Sequence, residues 1–121
     1  MTVRFTRLKT RGDFLRVAAA RVRAVRPGLV LQAALRPNEA AAAPRVGFTA
    51  SKRVGNAVAR NHAKRRLRAA AATVLGGQGK PGTDYVLIAR AETGARPYAD
   101  LLADLHGAVR QLARPRGAGE A

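Results

Sequence analysis

Along this chain the spacing of apolar positions alternates between a helical period of about 3.6 residues and a strand period of two, and each switch marks a change of element. Phe14, Val17 and Ala18 fall at helical spacing. Thr10, with Asp13 three residues on, makes a capping-box pattern ahead of them, which predicts a first helix over about Arg11–Ala20. Pro27-Gly28 signals a turn. In LVLQAAL, Leu29, Leu31, Ala33 and Leu35 alternate onto one side of a predicted strand, with a brief extended piece near Val22–Val25 before it. The proline-bounded PNEAAAAP, 37–44, reads as a surface loop. RVGFTAS alternates again, with Val46, Phe48 and Ala50 on one face and the small or polar Gly47, Thr49 and Ser51 on the other.

The longest helical pattern follows. Asn56 is a natural N-cap for a helix predicted from Ala57 to about Leu75, where Gly76-Gly77 ends it. Ala59, Ala63, Leu67, Ala70 and Val74 form its apolar stripe, and Asn61, Lys64, Arg65 and Arg68 cluster on a separate face. Arg60 and Arg66 flank the stripe, their stems along it and their heads turned outward. DYVLIARA, Asp84–Ala91, has the apolar run of a strand inside a sheet. Pro97 opens a last helix whose apolar side is Leu101, Leu105, Ala108, Val109 and Leu112. RPRGAGEA, 114–121, reads as a disordered tail. The order α-β-β-β-α-β-α describes one small α+β domain over 1–113, with a four-stranded sheet and three helices.

Charge singles out one of these elements. The chain has 121 residues, enough for one modest core, and a net charge of +16 from 23 Lys or Arg against 7 acids. Seven Lys or Arg stand between Lys52 and Arg68, and no acid occurs between Glu39 and Asp84. An exposed helix normally intersperses glutamate for i,i+4 pairs. One that does not repels itself unless a polyanion lies against it, which points to nucleic acid. A membrane surface fits less well, because this helix has no Trp or Phe to insert. No run of eighteen apolar residues exists, and the N-terminus lacks the apolar core of a secretory signal. The absence of cysteine is compatible with the cytosol, the expected location.

Catalytic chemistry is poorly supplied. His62 and His106 have no partner at metal-ligand spacing, and the acids are scattered singly. Asp100 and Asp104 lie one helical turn apart and read as a solvated face. GGQGKPG lacks the spacing of a phosphate loop. No metal site and no protein-borne active site are expected.

The run Lys52-Arg53-Val54-Gly55-Asn56-Ala57-Val58-x-Arg60-Asn61-x-x-Lys64-Arg65-x-x-Arg68 closely resembles the signature of the bacterial ribonuclease P protein subunit. RLKTRGDF (Arg7–Phe14), RVGFTASK and DYVLIARA stand in that family's order and spacing, so the resemblance covers about residues 4–112. It implies a ribosomal-protein-S5-domain-2-like fold with a left-handed βαβ crossover, against the right-handed norm. It also implies an endoribonuclease, a hydrolase acting on precursor tRNA, whose RNA subunit supplies catalysis with Mg²⁺. The protein would bind no cofactor alone and contribute no catalytic residue. Its implied partners are the catalytic RNA and the 5′ leader of precursor tRNA, with no membrane and no protein partner required. The RNA contacts would be Lys52, Arg53, Arg60, Asn61, His62, Lys64, Arg65 and Arg68, and Phe14 would line a leader cleft between the first helix and the sheet. Two departures stand out: His62 occupies the last position of the family's Arg-Asn-Arg motif, and Ala18 and Gln32 stand where the cleft often has aromatics. Leader grip is then expected to lean on charge and on Phe14. Two other readings are open: a ribosomal-protein-like RNA-binding module without a role in cleavage, and a protein-only nuclease, which would need clustered carboxylates.

Overall fold

The computed structural model describes residues 5–36, 39 and 41–113, and the predicted tail at 114–121 lies outside them. The first strand, β1 (Thr6–Arg7), is only two residues long and is made by its backbone: Thr6 N donates to Pro44 O at 3.0 Å and Leu8 N to Val46 O at 2.9 Å. Thr10 then starts α1 (Arg11–Ala19). Its hydroxyl accepts the Asp13 amide at 3.2 Å and donates to the Asp13 carboxylate at 2.8 Å. The capping pair therefore closes side chain to side chain, with the acid where the helix dipole favours it. β2 (Arg23–Val25) and β3 (Leu29–Leu35) form a hairpin across Pro27-Gly28. β4 (Arg45–Thr49) leads through a single 3₁₀ turn, Lys52–Val54, into α2 (Ala57–Gln78). β5 (Thr83–Ala89) and α3 (Tyr98–Ala113) complete the domain.

The strands lie in the order β1-β4-β5-β3-β2, with β1, β4 and β5 mutually parallel and β3 and β2 antiparallel to their neighbours. The sheet has five strands where the sequence predicts four. β1 adds to the outer edge of β4, and two residues are too few to carry a period-two signal. α2 and α3 cover one face, over a core that includes Leu29, Leu31, Val46, Leu67, Val74, Leu87, Leu101 and Leu105. α1 covers part of the other face, where its Val17 packs with Leu8 and with Val86 of β5, and Phe14, Ala34 and Ile88 pack against them.

Two further expectations change. Gly76-Gly77 does not end α2, which runs on to Gln78, where Gly79 N donates to Leu75 O at 3.0 Å. Neither glycine takes a positive φ. Buried Val74, Leu75 and Gly76 hold that turn on the core and offset a helix-interior glycine cost of about 0.5–1 kcal/mol each. The small face of β4 is not simply solvated. Gly47 is buried, and a Cβ there would meet the Phe14 ring at 2.4 and 2.6 Å. The absence of a side chain is what allows Phe14 to lie on the sheet.

Candidate nucleic-acid interface

The route from β4 into α2 is fixed by local backbone chemistry. Ser51 Oγ accepts the Arg53 amide at 3.3 Å, and Asn56 Oδ1 accepts the Ala59 amide at 2.9 Å, as its N-cap position predicts. Gly55 between them has φ of 140°, and a Cβ there would lie 2.9 Å from the Ala59 Cβ. Only glycine makes that turn without strain. Ala63, Leu67, Ala70, Ala71, Val74 and Leu75 are buried, which sets the helix's rotation about its own axis. Asn61, Arg65 and Arg68 are then exposed and Lys64 half-buried, with Lys52 and Arg53 exposed just before the helix. Among the described residues, none of these cations has an acid within ion-pair distance.

The remaining predicted contacts on α2, Arg60 and the exposed His62, each also meet a backbone carbonyl of the protein. Arg60 is half-buried, and its Nη1 donates to Gly55 O at 3.1 Å. His62 Nε2 lies 3.3 Å from Gly94 O. Arg66, expected to reach outward, instead donates from Nη1 to Thr93 O at 2.5 Å, with its guanidinium 6.0 Å from the centre of the Tyr98 ring.

On the opposite face of the sheet, strand register sets out an open strip beside α1. Arg23, Gln32, Val86 and Gly47 stand in one row, and Val25, Val30, Ile88 and Thr49 in the next. Side chains in register share a face. Val86 and Gly47 are covered, whereas Arg23 and Val25 are exposed and Gln32, Val30, Ile88 and Thr49 half-buried. Phe14, also half-buried, borders the strip from α1, while Ala18, which has no aromatic ring to offer it, is exposed. Thr49 ends β4, so the strip and the basic helix meet at the segment that carries Lys52 and Arg53. The surface combines an apolar shelf for bases with cations for phosphates.

The strongest electrostatic site was not foreseen. Asp84, fully buried at the start of β5, accepts from Arg36 Nη1 at 2.5 Å, from Arg45 Nε at 2.8 Å and Nη2 at 2.7 Å, and from Arg16. Burial alone would raise its pKa, but the hydrogen bonds and charges of Arg45 and Arg36 outweigh it and hold the carboxyl below its ordinary range. The same pairing raises Arg45. Asp104, expected on a solvated face, is buried, and accepts from Arg96 Nε at 2.6 Å and from Gly28 N at 3.0 Å. Both carboxylates are occupied by arginine and offer a metal ion little. The available signal was an acid heading an otherwise apolar strand, which is costly unless paired. Its partners could not be read, because Arg16 lies 68 residues away.

A family model described as Ribonuclease P matches residues 3–113. The chain is 52% identical over 114 residues to a ribonuclease P protein component from Paramagnetospirillum magneticum, covering 93% of this chain and 86% of the relative. It is 53% identical over 110 residues to that of Ruegeria pomeroyi, covering 90% and 87%. Its fold is similar to that of the Staphylococcus aureus RNase P protein, with a TM-score of 0.71 at 21% identity over 91% of this chain and 97% of the other. The Thermotoga maritima RNase P protein gives 0.69 at 23% identity over 92% and 98%. The solved structures speak for the fold; the curated relatives, more than half identical over at least nine-tenths of the chain, speak for descent. This chain therefore belongs to the ribonuclease P protein family.

Proposed function

We propose that, as the protein subunit of ribonuclease P, this chain binds the catalytic RNA through α2 and holds the 5′ leader of precursor tRNA along the strip between α1 and the sheet. The observation that carries this reading is the acid-free array of Asn61, Lys64, Arg65 and Arg68, aimed outward by a buried stripe on the same helix. Lys52, Arg53 and the free donors of Arg60 extend it toward the strip, where Phe14 offers a ring for base stacking. Stacking contributes about 1–3 kcal/mol per base in single-strand binders. The RNA subunit performs the phosphodiester hydrolysis and holds the Mg²⁺ that serves it. The protein supplies charge and position: bringing one polyanion against another costs repulsion, and a cationic wedge offsets it. The fold likeness supports the left-handed β4-α2-β5 crossover implied by the resemblance. Among the described residues no helix is long and apolar enough to cross a membrane, and the proposed site of action is the cytoplasm.

The test is reconstitution with a cognate catalytic RNA at low Mg²⁺. The protein is expected to restore removal of the leader from precursor tRNA, and absence of rescue would sink the assignment. A ribosomal-type RNA binder would bind RNA in the same assay and leave cleavage unaltered.

A further inference from the structure

The segment 90–97, between β5 and α3, is held from one side and holds something on the other. Thr93 is fully buried. Its hydroxyl donates to Gly28 O at 2.6 Å and accepts the Arg90 amide at 2.8 Å. Arg90 Nη1 donates to Arg26 O at 2.6 Å, and Arg96 is tied to Asp104, which also takes the Gly28 amide. The segment is thereby clamped to the β2-β3 turn and to α3. Its opposite side presents two successive carbonyl oxygens to α2. Thr93 O receives Arg66, and Gly94 O meets His62, one helical turn apart on one flank of the helix.

We infer that segment 90–97 is a positioning element for the RNA-contacting face of α2, with Thr93 as its central positioning residue and Arg66 and His62 as the side chains it holds. The inference rests on the proposed role of α2. The buried stripe sets the rotation of α2, and two points of attachment one turn apart on its flank add resistance to both rolling and sliding. Asn61 and Arg65 directly precede the two tethered residues in sequence, so their directions are set by the same two bonds. Arg66 is thus withdrawn from RNA although it belongs to the most basic run of the chain. Its guanidinium is committed to a carbonyl and to the Tyr98 ring.

The experiment measures binding of the full chain to its cognate catalytic RNA across a salt series, well below the melting temperature of each variant. Thr93→Val removes both hydroxyl bonds without changing charge. It is expected to bind about tenfold more weakly with the salt slope unchanged, and Thr93→Ser is expected to restore binding. Arg66→Met is expected to do the same as Thr93→Val; a slope flattened by about one phosphate contact would make Arg66 an RNA contact and overturn the assignment. Lys64→Ala is the control and is expected to flatten the slope. If it does so while folded Thr93→Val binds like the parent, the inference fails and the RNA face stands. If Lys64→Ala also leaves the slope intact, both fail. Should Thr93→Val not fold, Arg66→Met decides alone, since normal binding by it refutes the tether.

Discussion

Replacing Asp84 by asparagine removes one negative charge from among three guanidinium groups while keeping the size of the side chain. The cost depends on which arginine is stranded. Arg16 and Arg45 keep 39% and 30% of their side-chain surface exposed, so water can solvate them once the carboxylate is gone, and exposed pairs contribute little net. Arg36 keeps 6%. Its nearest other acid is Glu39, 3.8 Å from Nε and itself 62% exposed. Arg36 therefore sets the magnitude, and breaking a buried pair from one side costs about 3–5 kcal/mol. Against a total stability of about 5–15 kcal/mol for a domain, that is a fall in Tm on the order of 10–20 °C. Urea denaturation at fixed ionic strength measures it. Adding Arg36→Met should recover more than half of the loss, because the stranded charge is then gone. A single variant within about 1 kcal/mol of the parent, or a double variant no better than the single, refutes the reasoning. The pH dependence has a definite sign. The folded pKa of Asp84 lies below the ordinary 3.8, so its stabilisation is present above 3.8 and is lost as pH falls through the depressed value. The stability gap between parent and Asp84→Asn should therefore hold steady from neutral pH down to about 5 and close only in stronger acid.

Three predictions concern the two proposed binding surfaces. Lys64→Ala with Arg68→Ala should flatten the salt dependence of catalytic-RNA binding by roughly one phosphate contact each, read by filter binding; an unchanged slope returns both residues to a solvated face. Phe14→Ala should weaken precursor tRNA binding by the holoenzyme far more than mature tRNA binding, and equal losses on both would argue against a leader contact. Gly47→Ala drives a methyl group into the Phe14 ring, whose atoms lie 2.4 and 2.6 Å from the new Cβ. It should cost about 1–3 kcal/mol by chemical denaturation and reduce the preference for precursor over mature tRNA, as Phe14→Ala does; a preference left intact would mean that Phe14 need not lie on the sheet.

The regular elements were legible where periodicity was long or capping chemistry was local. Thr10 and Asp13, Asn56, the stripe from Ala63 to Val74, and the alternation through Leu29, Leu31 and Ala33 all act over a few residues, and the structure keeps each of them. What could not be read acts at long range. β1 exists only because β4 lends it a partner, and Gly76-Gly77 stays helical because Val74 and Leu75 are buried. Asp104 looked like half of a solvated pair until Gly28 and Arg96 were brought to it. The basic helix was legible as a face of charge without counter-charge, but not the division of labour within it, since the carbonyls that claim Arg66 and His62 belong to another loop.

That division bears on how the net charge of +16 should be read. Asp84 engages Arg16, Arg36 and Arg45, and Asp104 engages Arg96. Carbonyl oxygens receive Arg26, Arg66 and Arg90. A guanidinium tied to a carbonyl keeps its charge but not its reach, and contact at a phosphate needs both. On and just before α2, Lys52, Arg53, Lys64, Arg65 and Arg68 are left with no such partner among the described residues. Five phosphate contacts correspond to a log–log salt slope of about −3.5 to −4.5, whereas sixteen would give about −11 to −14. Titration of the catalytic RNA alone, without tRNA, over a range of monovalent salt at fixed Mg²⁺ separates the two. A slope steeper than about −8 would mean that the contact extends well beyond these five cations, to others such as Arg23 or to arginines now held by acids and carbonyls, and would refute an interface limited to α2 and its approach.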